Sequence, residues 1–232
     1  MRRTHPAYQE TVHPLKHEVI VTADGSTTIR IPEWDECYHS KNGAIVEAYH
    51  VFIRSGLDLF GPPIRILEIG FGTGLNALIT LLESIRKNQR IEYSGVEAYP
   101  VPADEVLKMN YAEELQCDRE WFEKIHNIPW EAPQIIAPTF TLTKHQMKFQ
   151  DIAFENEFDL IYFDAFGYRV QPELWSEDIF RRMYSALKGN GILVTYAARS
   201  VIKRNMQAAG FDVEKLPGPP GKREMFRSKK CG

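Results

Sequence analysis

The chain has 232 residues, is 44% hydrophobic and 25% charged, and carries a formal net charge of −3; this supports a real core and excludes a disordered or low-complexity chain. Its three cysteines, Cys37, Cys117 and Cys231, form no Cys-x-x-Cys pair, which speaks against a disulfide framework or a metal site and fits a reducing cytoplasm. The first residues hold no apolar signal core and no stretch is long and apolar enough for a membrane span, so neither a secretory leader nor a membrane anchor is expected.

In chain order, residues 1–18 are polar and read as a frayed arm, in which His5, His13 and His17 lack metal-ligand companions. Val19–Thr22 and Thr27–Ile31 flank an Asp-Gly pair and predict a hairpin. Residues 33–43 form a polar loop with aromatics, and Ala44–Leu59 has apolar positions at helical spacing. A short apolar run from Ile64 that ends in Glu68 then leads to glycines at 70, 72 and 74 and an immediate helical pattern, Leu75–Arg86. This order predicts a strand, a tight turn and a helix start. The chain is expected to divide at this point, with residues 1–62 as an extension and 63–232 as the main domain.

Ile91–Val96 predicts the next strand, Pro102–Asn110 and residues 111–127 further helix. Pro129, Pro133 and Pro138 mark a loop before Phe140–Phe149, a strand or hairpin. Phe158–Phe163 is an apolar strand, Pro172–Leu187 a helix, Gly191–Tyr196 a strand and Val201–Ala209 a helix. Phe211–Leu216 and Arg223–Ser228 are separated by a Pro/Gly turn too short for a crossover helix, so they should pair antiparallel. Strands alternating with helices predict an α/β fold of the Rossmann-like kind, a mostly parallel sheet covered on both faces.

Ligands of such sheets bind beyond the carboxyl ends of the strands. Four acidic residues fall at or near predicted strand ends: Glu68, Glu97, Asp151 and Asp164. Glycine at positions 70, 72 and 74 lets a nucleotide approach the backbone, and the helix start that holds Asn76 offers free N–H donors. Gly-Phe-Gly-Thr-Gly does not keep the Gly-x-Gly-x-x-Gly spacing of dinucleotide folds. A carboxylate two residues before the first glycine repels a pyrophosphate but attracts a cation. That combination points to S-adenosylmethionine, with Glu97 placed for ribose hydroxyls. Asp151 would meet the adenine amino group, or equally serve as a helix cap or loop residue.

The same segments resemble a known family. Cys37–Gly43 followed by Glu47, Glu68–Asn76, Asp164-Ala165-Phe166 with Gln171–Trp175, and Gly221–Met225 are together similar to the methyltransferase half of the bifunctional tRNA 5-methylaminomethyl-2-thiouridine biosynthesis proteins. Gln150 and Ala165 stand where the family pattern has glycine. The resemblance implies a stand-alone methyltransferase without the flavin-binding oxidoreductase half, and without a metal. It would methylate the primary amine of 5-aminomethyl-2-thiouridine at the wobble position of a tRNA. Asp164 would orient the amine, and accept or relay its proton. Tyr38, Asn42 and Phe166 would stand near the target base, with Tyr168 beside them and Trp175 either there or in the core.

Residues 181–232 hold twelve Lys/Arg against three Asp/Glu, a net of +9 on an otherwise acidic body. Lys203, Arg204, Lys222 and Arg223, with Arg199, are candidates for phosphates of the anticodon stem-loop. A solvated basic face is the plainer reading of the same charges. Two alternatives remain at this stage: an aminopropyltransferase of the spermidine-synthase kind, and a non-catalytic S-adenosylmethionine-binding protein. A nicotinamide oxidoreductase is disfavoured by the glycine spacing.

Overall fold

The structure is a computed structural model that describes residues 15–231. His5, His13 and most of the expected N-terminal arm lie outside the described residues. The first elements are β1 (Glu18–Val21), β2 (Thr27–Ile31) and β3 (Glu36–Cys37), a small antiparallel sheet containing the expected hairpin. Helix α1 (Ala44–Ala48) runs into a wide π-turn over Tyr49–Arg54 and a 3-10 turn at Leu57–Leu59. The single helix expected over Ala44–Leu59 is therefore three differently wound pieces. The wider middle piece carries three consecutive buried residues, Val51, Phe52 and Ile53.

The main sheet begins with β4 (Ile64–Ile69), followed by α2 (Leu75–Lys87), β5 (Ile91–Val96), α3 (Ala103–Val106), α4 (Tyr111–Glu114) and α5 (Arg119–Asn127). Next come β6 (Gln134–Ala137), β7 (Phe140–His145), β8 (Phe158–Phe163), α6 (Glu177–Ala186), β9 (Leu187–Thr195), α7 (Ser200–Ala208), β10 (Phe211–Pro217) and β11 (Glu224–Lys230). Their order in space is β10-β11-β9-β8-β4-β5-β7-β6. The five central strands, β9 to β7, run parallel. At one edge β11 slots antiparallel between β9 and β10; at the other, β6 pairs antiparallel with β7.

Strand β6 falls where a proline loop was expected. Pro133 and Pro138 flank it, and an edge strand tolerates flanking prolines. Only Ala103–Val106 of the expected helix Pro102–Asn110 is helical. The helix over 111–127 is broken after Glu114, where Gln116 takes a positive φ of 51°, and restarts with Asp118 as cap, its side chain accepting from the Glu120 N–H. Ser176 likewise caps α6 and splits the expected Pro172–Leu187 helix.

Alternation along the strands builds two cores. Ile66, Tyr93, Leu160 and Tyr162 face α2 and the α1 region. Leu67, Ile69, Val96 and Phe163 face α6 and α7. Phe52, ahead of the main sheet, packs against Tyr162 with ring centroids 4.9 Å apart, so residues before position 63 share the central core. Among the described residues no helix is long and apolar enough to cross a membrane.

Candidate active site

β4 lies between β5 and β8, so chain connections leave it in opposite directions and open a crevice at its carboxyl end. Two cavities occupy this edge, of about 760 and 620 Å3. They meet at Asp164, which lines both together with Tyr38, His39 and Tyr196. Asp164, Glu97 and Tyr196 each follow directly on the last residue of a central strand. The strand-end rule thus locates Tyr196 as readily as the two acids. An acid-only search passes over it.

The glycine turn forms one wall of the first cavity. Gly70 has φ +89° and its backbone is pressed so closely to the next strand that an added Cβ would lie 2.6 Å from the Asp164 carbonyl oxygen. Gly70 and Gly72 line the cavity; Gly74 does not, and instead starts α2 against His126. Glu97 lines the cavity and accepts from the Gly72 N–H at 3.0 Å and the Tyr99 N–H at 3.0 Å. Burial raises its carboxyl above the ordinary range, opposed by these backbone bonds. A carboxylate held this way keeps lone pairs for hydroxyl donors. The cavity's size, its glycine wall and this acid fit an adenosine-type cofactor.

Two acids expected here stand elsewhere. Asp151 is exposed in a 3-10 turn six residues past the end of β7 and lines neither cavity; its neighbours Lys148, Phe149 and Gln150 line the first one. Glu68 is the penultimate residue of β4 and fully buried, lining neither cavity. Strand parity turns it to the α2 face, where it meets Asn76 in the first turn of that helix. Asn76 Nδ2 donates to Glu68 Oε1 at 2.9 Å and to Asp164 Oδ2 at 2.8 Å.

Asp164 is half-buried. Burial pushes its carboxyl up to about 7 against the opposing Asn76 bond; nearby Glu47 pushes the same way as burial and Lys222 the opposite way. The Phe166 ring packs edge-on to Tyr38 at 4.9 Å and to Trp34 at 5.6 Å, making an aromatic wall on the first cavity. Trp175 is a core residue with no exposure, and its indole N–H donates to the Phe166 carbonyl at 2.8 Å, fixing that wall from behind. Tyr196 O–H does the same for the Ala165 carbonyl at 2.9 Å. His39, quoted in the motif but given no role, bonds Thr73 Oγ1 at 2.9 Å; burial and the Lys222 charge hold it down to about 4, so it is neutral near pH 7.

The second cavity is lined by charges of both signs. Lys222 reaches into it, pairs with Glu47 and lies 4.0 Å from the Tyr196 ring centre. Arg223, Arg199 and Tyr168 also line it. Asn42 lines it too, and packs on Gly221 so tightly that a Cβ there would fall 2.0 Å from Asn42 Nδ2. The Asn-Gly and Lys-Arg-Glu-Met segments, far apart in sequence, are therefore one contact. Lys203 and Arg204 line neither cavity; α7 reaches the second one through Ile202. Among the described residues no group of three His, Cys, Asp or Glu could hold a metal ion.

Residues 120–231 match the family model described as S-adenosyl-L-methionine-dependent methyltransferase. A protein of Cupriavidus metallidurans is 27% identical over 227 residues, covering 90% of this chain and 33% of its own length. One of Leptospira borgpetersenii is 30% identical over 212 residues, covering 84% of this chain and 32% of its own. Both are named tRNA 5-methylaminomethyl-2-thiouridine biosynthesis bifunctional protein MnmC. The chain resembles the methyltransferase half of these proteins. It spans about a third of the length of the curated relatives it matches. The crystal structure of MNMC2 from Aquifex aeolicus shares the fold, with a TM-score of 0.74 at 23% identity over 95% of this chain and 73% of that one. Spermidine synthase from Thermotoga maritima shares it more loosely, with a TM-score of 0.52 at 14% identity over 98% of this chain and 83% of that one. The family match over residues 120–231 and the glycine-walled first cavity both point to S-adenosylmethionine as the ligand.

Proposed function

We propose that this methyltransferase transfers a methyl group to the primary amine of 5-aminomethyl-2-thiouridine at the tRNA wobble position. The reading rests above all on Asp164 at the junction of the two cavities, where one face takes the cofactor and the other the acceptor. S-adenosylmethionine supplies, when bound, an electrophilic methyl group on a sulfonium. Gly70, Gly72 and Glu97 are the residues placed to hold it, Glu97 through the ribose hydroxyls. The chain's own work is done on the acceptor. An alkylammonium must lose a proton before its lone pair can react. Asp164, raised by burial to about 7, is a stronger base than an ordinary aspartate. It attracts the ammonium, aims the nitrogen along the cavity junction and takes or relays the proton. Because an alkylammonium is far less acidic than Asp164, orientation carries the larger share of the acceleration.

Tyr38, which lines both cavities, offers a ring surface for an unstacked base, and Phe166 supports it from the first cavity. Arg199 and Arg223, on the rim of the second cavity, suit the phosphates that follow that base. Lys222 is already paired with Glu47 and acts inside the cavity instead of on the backbone of the RNA. The acceptor itself is taken from the resemblance to the bifunctional proteins named above. The deciding experiment incubates the protein with labelled S-adenosylmethionine and tRNA bearing 5-aminomethyl-2-thiouridine, then separates the nucleosides. Label in 5-methylaminomethyl-2-thiouridine is expected. Label absent from it, or found in another nucleoside, overturns the acceptor assignment.

A further inference from the structure

Glu68 is the most heavily buried acid near the site, yet it lines neither cavity. It comes from the strand that leads into the glycine turn, with no exposed surface. Its one hydrogen bond among the described residues comes from Asn76 Nδ2, and Oε2 has no partner. The hydroxyls of Tyr93 and Tyr162 on the flanking strands are also without partners among the described residues. An ionised carboxylate with one N–H in such a setting is very costly. Burial and the charges of Asp164 and Glu97 push Glu68 well above the ordinary carboxylate range; the Asn76 bond and the nearby Tyr93 hydroxyl oppose them. A neutral acid cannot serve as counter-ion to a sulfonium or an ammonium.

What Glu68 does hold is the Asn76 amide. Asn76 is itself only 3% exposed, and both of its N–H bonds are committed, one to Glu68 and one to Asp164. The amide therefore cannot rotate without losing both. We infer that Glu68 is a positioning residue, which locks the Asn76 amide so that it grips Asp164 Oδ2 and leaves Oδ1 for the acceptor. This rests on Asp164 being the group that meets the acceptor amine. The charged and titratable groups facing Asp164 are Glu47 from α1, Lys222 before β11, Tyr196 after β9 and Tyr93 on β5. Those facing Glu68 are Tyr93, Tyr162, Asp164 and Glu97. Apart from Asp164 itself, none of them hydrogen-bonds the Asn76 amide, so the Glu68–Asn76–Asp164 chain is a distinct unit.

Two measurements test it, neither requiring turnover. Calorimetry gives S-adenosylmethionine affinity for the wild type and Glu68→Gln. Glutamine keeps an acceptor for Asn76 and removes only the capacity for charge, so affinity should stay within about twofold; loss of a counter-ion would cost roughly tenfold or more. Infrared-monitored titration then follows the Asp164 carboxyl, assigned by its disappearance in Asp164→Asn. The Asn76 bond lowers this carboxyl's midpoint, so Asn76→Ala should raise it, by about 0.5–1 pH unit. Glu68→Leu should raise it in the same direction by freeing the amide, and the double variant should move no further than the larger single. A tenfold loss of affinity in Glu68→Gln, an unmoved midpoint in Glu68→Leu, or additive shifts would each overturn the inference. Should Glu68→Leu not fold, the affinity of Glu68→Gln decides. Failure of tRNA methylation by the wild type would strike the acceptor assignment and leave both readouts intact.

Discussion

At the scale of single residues, the proposed function rests on Asp164, and the same residue carries a cost in stability. Its carboxyl is raised to about 7 by burial, so methyl transfer should increase with pH through that value and level off above it, a profile read from kcat/KM. Asp164→Asn should lower kcat by about 10²–10⁴-fold while cofactor affinity changes little, because the amide keeps the shape and loses the base. Retained turnover in that variant would remove Asp164 from the mechanism. The same shift acts on stability. The unfolded chain releases this proton near about 3.9 and the folded chain only near 7, so between those values the folded state binds more protons. Stability contributed by this group therefore falls as pH rises across that window. Asp164→Asn should flatten the fall and, above pH 7, stabilise the protein by about 1–2 kcal/mol. Thermal melts at pH 5 and pH 8 check the sign: a variant gaining more at pH 5 than at pH 8 contradicts it.

At the scale of elements, the turn between β4 and α2 depends on backbone contact more than on side chains. Gly70→Ala forces a Cβ to within 2.6 Å of the Asp164 carbonyl at a φ of +89°. It should cost about 1–3 kcal/mol in denaturant melts and abolish cofactor binding. Gly61→Ala meets no atom within 4 Å and should be silent; equal losses in both would show that the turn is not special. The turn was legible in the sequence because glycine spacing and apolar alternation are local signals. So were the central strands and the antiparallel β10–β11 pair, which a short Pro/Gly turn dictates. Helix interruptions were not legible. They depend on caps such as Ser176 and Asp118, and on a π-turn over Tyr49–Arg54 that apolar spacing alone does not announce. Side-chain destination was the weakest part of the reading. Glu68 and Asp151 sat in the right segments, but strand parity seals the first and a 3-10 turn faces the second outward. Neither is fixed by the residue's position relative to the glycines.

For the whole molecule, charge decides how a net anionic protein could grip a polyanion. Of the twelve Lys and Arg behind the C-terminal excess of +9, five are held in ion pairs among the described residues, and two, Arg182 and Lys230, donate to the Ile152 and Leu187 carbonyls. Arg181 pairs with Glu177, Lys188 with Asp159, Lys215 with Glu224, Arg227 with Glu214 and Lys222 with Glu47. Arg199, Lys203, Arg204, Arg223 and Lys229 enter no ion pair among the described residues. Of these, only Arg199 and Arg223 line the second cavity, which makes them the candidates for phosphate contact under the proposed function. Arg199→Glu combined with Arg223→Glu should weaken tRNA binding at least tenfold and reduce the slope of log affinity against log salt by about 0.7–0.9 per lost phosphate contact. Lys203→Glu combined with Arg204→Glu should have the smaller effect, since neither residue lines a cavity. Filter binding across a salt series distinguishes them, with cofactor affinity as the control for folding. A larger loss from the α7 pair would place the stem along α7 and remove the cavity rim from phosphate recognition. No change from either pair would mean that the RNA is held by the aromatic wall of Tyr38 and Phe166, and its affinity would then be nearly independent of salt.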